Sequence, residues 1–219
     1  MKTFAFTAGL AAILAGAVTA PHAQAADRTA SADKTLAAQA EQVFRSGFRR
    51  DNPPYWMARI EQDEAMRLCS QYKDDPPDAV RRRIEAAQRA TLRYPVDGKL
   101  VGDWREGEKL ASSGRGGHIG FIQPDPPGTP RGGNCYACHE LAKKEVAYGT
   151  IGPSLRHFGR LRGGGDDVVR YAYEKIYNSN IFMACTNMPR FGLHSWLTPE
   201  QITHLVAFLI DPESPVNKD

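Results

Sequence analysis

The sequence predicts an all-α protein with an N-terminal helical extension, on three observations. The longer apolar patterns repeat at three- and four-residue spacing, and none alternates as a strand would. Pairs of prolines and runs of glycine break these patterns at helix-length intervals. The last run carries a full start signal, with Thr198 as cap, Pro199 at the first helical position and Gln201 closing a capping box.

From the N-terminus, residues 1–25 read as a cleaved export signal. Lys2 supplies a positive start, AGLAAILAGAV a short apolar stretch, and Ala23-Gln24-Ala25 a small-x-small cleavage site before Ala26. The apolar stretch falls short of the roughly 20 residues that span a bilayer, so a membrane anchor is the weaker reading. An exported, periplasmic location follows. Residues 26–95 form the extension, with helices expected over about 33–48, 55–72 and 78–94, divided by Pro53-Pro54 and Pro76-Pro77. Leu36, Ala40, Val43 and Phe44 share a stripe on the first. Asp78 is the expected cap of the third, with Glu85 and Arg89 spaced for an i,i+4 pair.

Beyond residue 96, Asp103 with Glu106 signals another capped helix. A long irregular loop follows over 113–133, with seven glycines and four prolines in 21 positions. GGGDD punctuates the start of a further helix, expected over 167–177, whose apolar face is Val169, Ala172, Tyr173 and Ile176. The final helix presents Ile202, Leu205, Val206 and Leu209 and stops at Asp211-Pro212. Gly107 is expected to let the helix after Asp103 approach Phe208 of the final helix closely.

Composition narrows function only slightly. The 219 residues carry a net charge of +3, with no basic cluster of the kind that binds nucleic acid. One short motif says more. In GGNCYACHE, Cys135 and Cys138 stand two residues apart, with His139 directly after. A structural zinc site needs two more ligands at set spacing, and they are missing. A redox dithiol of the thioredoxin kind needs a strand before the motif, where this chain has glycine and proline. Covalent haem uses all three residues: two thioethers to the ring, and the histidine on iron.

Haem iron then asks for a second axial ligand. Met57 and Met66 fall in the extension and read as packing. Met188, 49 residues after His139 in MPRFG, lies in a rigid turn before the final helix, with Met183 as competitor. His118, His157, His194 and His204 read as surface or packing residues. A glycine-proline turn in GTIGPSL, residues 149–155, is placed for Pro153 to pack by His139 and orient its ring through a carbonyl. A His/Met pair raises the potential and fills both axial positions, which favours electron transfer. No residue suggests a nucleophile or general base. Cys69 and Cys185 remain. In an oxidising compartment a mutual disulfide is the economical reading, with free buried thiols or a bond to a partner as alternatives.

CYACH, GTIGPSLRHFG, YEKIYNSNIFMACTNMPRFG and LTPEQITHLVAFLIDPESPVN together resemble SoxX, the monohaem subunit family of the SoxAX cytochrome complexes of sulfur oxidation. The resemblance covers about residues 96–217 and is most specific from MPRFG onward. It implies a class I cytochrome c-like domain over 96–219 behind the 26–95 extension, which resembles that of longer SoxX variants. It also implies one haem c on Cys135 and Cys138, with His139 and Met188 on iron. The partners implied are a SoxA subunit, the SoxYZ carrier and a soluble acceptor cytochrome, in a complex that joins thiosulfate to a carrier cysteine (an L-cysteine S-thiosulfotransferase). Neither a membrane anchor nor nucleic acid has a place in it. A free-standing periplasmic electron carrier is the alternative, and a haem-free dithiol oxidoreductase a third.

Overall fold

The computed structural model describes residues 21–47, 61–115, 126 and 128–219, with side chains from residue 33 onward. The chain divides into two units, Met1–Pro53 and Pro54–Asp219. The extension expected over 26–95 is therefore not one body, because its later part belongs to the second unit.

In the first unit, helix α1 (Pro21–Gly47) begins upstream of the expected position and runs through the expected cleavage site after Ala25. Its stripe is not buried: Leu36, Val43 and Phe44 are all exposed. Residues 1–20, which carry most of the expected export signal, lie outside the described residues.

The second unit is helical throughout, with no strand among its described residues. Helix α2 (Glu64–Gln71) starts at Asp63, whose side chain accepts from the Met66 N–H. The expected helix over 55–72 is present from residue 64 to 71; residues 61–63 are not helical because Asp63 is the cap, and 55–60, with Met57, lie outside the described residues. Helix α3 (Asp78–Arg89) has Pro77 at its cap position. Asp78 is the first helical residue instead, where its charge still suits the N-terminal dipole. The helix ends five residues before the expected 94. The anticipated Glu85–Arg89 pair gives way to a tertiary one, with Arg89 reaching Glu174 at 3.1 Å.

Helix α4 (Trp104–Ser112) starts where Asp103 accepts from the Arg105 N–H. The reciprocal half of the expected capping box is absent, because Glu106 turns to Lys109 at 2.6 Å. Helix α5 (Phe158–Arg162), which no periodic pattern announces, is a single short turn before α6 (Asp166–Tyr177). Helix α7 (Pro199–Ile210) carries the complete capping box at Thr198 and Gln201.

The α4–α7 pairing closes the unit. A Cβ on Gly107 would sit 2.0 Å from the His204 carbonyl oxygen and 2.8 Å from the Phe208 Cβ. Only glycine allows this approach, as the sequence implied. Two bonds hook the start of α4 onto the same helix: the Gly102 N–H to the Thr203 carbonyl at 3.0 Å and the Asp103 N–H to His204 Nδ1 at 2.8 Å. Tyr173, Leu197, Ile202, Val206 and Phe208 are almost completely enclosed between α4, α6 and α7.

The tail after α7 has a structural use. Ser214 donates to the Phe208 carbonyl, and Asn217 Nδ2 donates to the Leu209 carbonyl at 3.0 Å and the Asp211 carbonyl at 2.8 Å. These side chains satisfy carbonyls that the helix end leaves without intrahelical partners. A second, smaller cluster joins Ala65 and Cys69 of α2, Ile84 of α3 and Ala184. It packs α2 and α3 against the loop that precedes α7.

Candidate haem site

The motif Cys135–Ala137 forms one 3₁₀ turn, entered through Asn134 in the left-handed region at φ 45°. The His139 N–H donates to the Cys135 carbonyl at 2.9 Å, as does the Cys138 N–H at 3.1 Å. One turn therefore presents both thiols and the imidazole. Both thiols are free. Cys135 is shut in against Gly133, whose Cβ position lies 3.1 Å from the sulfur. Withdrawal from water pushes the Cys135 thiol up to about 12. A dithiol oxidoreductase needs a lowered pKa at its attacking cysteine, so this environment argues against that third reading.

His139 is set by the segment that follows. Its Nδ1 lies 2.7 Å from the Pro153 carbonyl. A carbonyl only accepts, so Nδ1 carries the proton and Nε2 is left with its lone pair, as an iron ligand requires. Gly152 lies flat against the ring: a Cβ there would stand 2.2 Å from Cε1 and 2.7 Å from Nε2. Gly149 is equally tight, its Cβ position 1.9 Å from the Ala137 carbonyl oxygen. Backbone bonds from Gly149 to Tyr136, Gly152 to Cys138 and Leu155 to Glu140 lace the segment to the motif at 2.8–2.9 Å. Pro153 thus occupies the place the sequence assigned it, and the Gly152 backbone lies against the ring as the glycine-proline turn implied.

Met188 sits in the loop between the Ser179–Ile181 turn and α7, half-buried against the main core. Ser179 Oγ donates to the Met188 carbonyl at 2.5 Å, and the Met188 N–H donates to Thr186 Oγ1 at 3.2 Å. Met183, its competitor, points outward and is 57% exposed. Met66 on α2 is also exposed. Cys69 and Cys185 are joined by a disulfide. Asp74 lies near both sulfurs, but oxidised sulfurs offer no thiolate to a metal.

Arg190 and its partners were not anticipated. The guanidinium of Arg190, only 8% exposed, meets the Asp63 carboxylate at 2.5 Å and Gln88 Oε1 at 3.1 Å. The same Gln88 oxygen accepts from Asn178 Nδ2 at 2.9 Å. Burial by itself would raise the Asp63 carboxyl, but the Met66 N–H and the Arg190 guanidinium outweigh it and hold it below its usual range. His194 is lowered, by burial first and then by the Arg190 charge.

The other histidines have packing roles. His204 accepts from the Asp103 backbone, and His157 lies at φ 57° with its Nε2 3.5 Å from Asp219. The His157 Nδ1 is buried without a hydrogen-bond partner. His118 lies outside the described residues, as does most of the loop over 113–133.

The residues present fit haem c. Two reduced thiols, an imidazole with a committed Nδ1, and a set of half-buried apolar side chains (Leu110, Leu155, Met188, Phe191 and Trp196) suit a large apolar ring bearing iron. The fold and site define a helical electron-transfer protein of the haem-attaching kind. Residues 132–211 match the cytochrome c family. A 162-residue stretch is 42% identical to an uncharacterized lipoprotein of Aquifex aeolicus (strain VF5), spanning 72% of this chain and 73% of that one. The chain thus carries a cytochrome c domain over residues 132–211 and belongs with that lipoprotein in one family. The domain implies covalently bound haem c and, together with the lipoprotein relative, an exported protein. Among the described residues no helix is long and apolar enough to cross a membrane.

Proposed function

We propose that this chain is the SoxX-like haem subunit of a periplasmic SoxAX complex. In that complex it takes electrons from the haem of a SoxA partner and passes them to a soluble acceptor cytochrome. Cys135 and Cys138 would hold one haem through thioethers, and His139 Nε2 and the Met188 sulfur would bind its iron. Bound haem supplies a one-electron iron couple. The protein's residues do the rest: the Pro153 carbonyl holds the imidazole in one tautomer, Gly152 admits its ring, and apolar neighbours keep water away.

The observation that carries the electron-transfer part is the committed His139, with Met188 tethered in a separate loop. With both residues on the iron of a bound haem, no position would be left open for a substrate, and among the described residues no side chain by the motif is arranged as nucleophile or base. Catalysis therefore belongs to the partner, where thiosulfate is joined to a cysteine thiol of the SoxYZ carrier. That step forms a sulfur–sulfur bond and releases two electrons and a proton. Support for the particular complex comes from the resemblance over about residues 96–217, most specific over 188–217, within which the Ser214 and Asn217 tail caps α7.

Purification of the tagged holoprotein from cells grown on thiosulfate tests this. A second haem polypeptide is expected to co-purify, and thiosulfate with the carrier protein is expected to reduce the haem of this chain. A monomer that stays oxidised under those conditions returns the chain to the alternative, a free-standing periplasmic carrier.

A further inference from the structure

We propose that residues 63–94 act as a clamp on the methionine loop, with Arg190 as its positioning residue, so that this segment sets how firmly Met188 holds iron. The inference rests on Met188 being the axial ligand.

The contacts fall on both ends and the middle of that loop. At its start, Asn178 Nδ2 donates to Gln88 Oε1 at 2.9 Å and Thr91 Oγ1 at 3.1 Å. In its middle, Cys185 is bonded to Cys69, and the neighbouring Ala184 is enclosed with Ala65, Cys69 and Ile84. At its end, two residues beyond Met188, Arg190 bridges Asp63 and Gln88. Just upstream, Glu174 of α6 accepts from Arg89 at 3.1 Å and from the Tyr94 hydroxyl at 2.7 Å. The Tyr173 hydroxyl donates to the Arg93 carbonyl at 2.7 Å.

Gln88 is the joint of this arrangement. Its single side-chain oxygen accepts from both Asn178 and Arg190, so one residue of α3 fixes the separation of the two loop ends. Among the described residues, the hydrogen bonds of Met188 are both made by its backbone, to Ser179 and Thr186, while its side chain packs on the core. The reach of its sulfur is therefore decided by where those ends are held. A ligand loop held at both ends spends less time detached. An outside ligand that binds only the detached state has its apparent affinity reduced by that state's population.

Imidazole binding to the ferric holoprotein reads that population directly. Asp63→Asn keeps a residue able to cap α2 but removes the charge facing Arg190. A Cys69→Ser/Cys185→Ser pair removes the covalent tie without leaving an odd thiol. Each is expected to bind imidazole about tenfold more tightly than the parent chain, with full haem content and unchanged helical circular dichroism. Arg83→Gln, which breaks an exposed pair with Glu64 inside the same segment, is expected to leave the affinity within about twofold. Met188→Ala is expected to bind imidazole most tightly, and adding Asp63→Asn to it is expected to give no further gain. Parental affinity in both the Asp63 and the cysteine variants overturns the clamp while leaving the ligand assignment standing. Parental affinity in Met188→Ala overturns the ligand assignment itself, and the clamp with it.

Discussion

The two sides of the proposed iron site are built in opposite ways. The histidine side is made by neighbours in sequence: His139 is oriented by Pro153, 14 residues away, and laced by backbone bonds from Gly149, Gly152 and Leu155. The methionine side is made by partners far away: Cys69 with Cys185 at a separation of 116, Asp63 with Arg190 at 127, and Gln88 with Asn178 at 90. A locally built ligand forms with its own turn. A ligand held by distant partners depends on the whole second unit being assembled, and loosens when any one partner is removed.

Several substitutions press on that contrast, and the largest effect is expected at the ligand itself. Met188→Ala should abolish the sulfur-to-iron absorption near the red end of the visible spectrum, whereas Met183→Ala should retain it, because Met183 faces solvent. The opposite pattern would make Met183 the ligand in place of Met188.

Next in size is the disulfide. Closing a loop of this length stabilises by about 4–5 kcal/mol in the chain-entropy model. Removing it should lower the melting temperature by on the order of 10 °C. A melting temperature unchanged by the serine pair would mean that the long-range side does not need its covalent tie.

On the local side, Gly152→Ala places a methyl 2.2 Å from the imidazole. Overpacking of this kind costs about 1–3 kcal/mol, and here the ring has to move. Low-spin ferric spectra should weaken while the disulfide variants keep theirs. Equal loss in both would erase the distinction between the two sides.

A smaller effect follows from acid. The Asp63 carboxyl is held below its usual range, so its contribution is fully present at neutral pH. Protonation removes that contribution as pH falls below about 4. The methionine band should be lost at higher pH in the parent than the His139 ligation, measured by acid titration of the ferric spectrum. Smallest of all is Arg83→Gln, whose exposed pair with Glu64 is worth under about 1 kcal/mol; thermal melting should barely register it.

What could be read without coordinates follows the same division. The CYACH turn, the Pro153 contact, the Gly107 approach and the Thr198 capping box all depend on residues close in sequence or on a helix period, and all are in the structure. Two expected local pairs give way to other partners. Arg89 leaves Glu85 for the buried Glu174 of a distant helix, and Glu106 leaves the Asp103 box for Lys109 one turn on. Short α5 has no periodic signal to detect, being only five residues long. The extension over 26–95 crosses the division between the two units at Pro53, which the proline breaks alone do not distinguish from the others.

By itself, the sequence determined the chemistry: two thiols and an imidazole at fixed spacing form the attachment site wherever the chain goes, because one short turn carries all three. The tertiary structure alone decided what surrounds the methionine. Arg190 gave no sign of its part, since a guanidinium is buried only where a carboxylate and an amide oxygen from distant helices meet it. Asp63 and Gln88 supply them through the folding of α2 and α3 onto the loop.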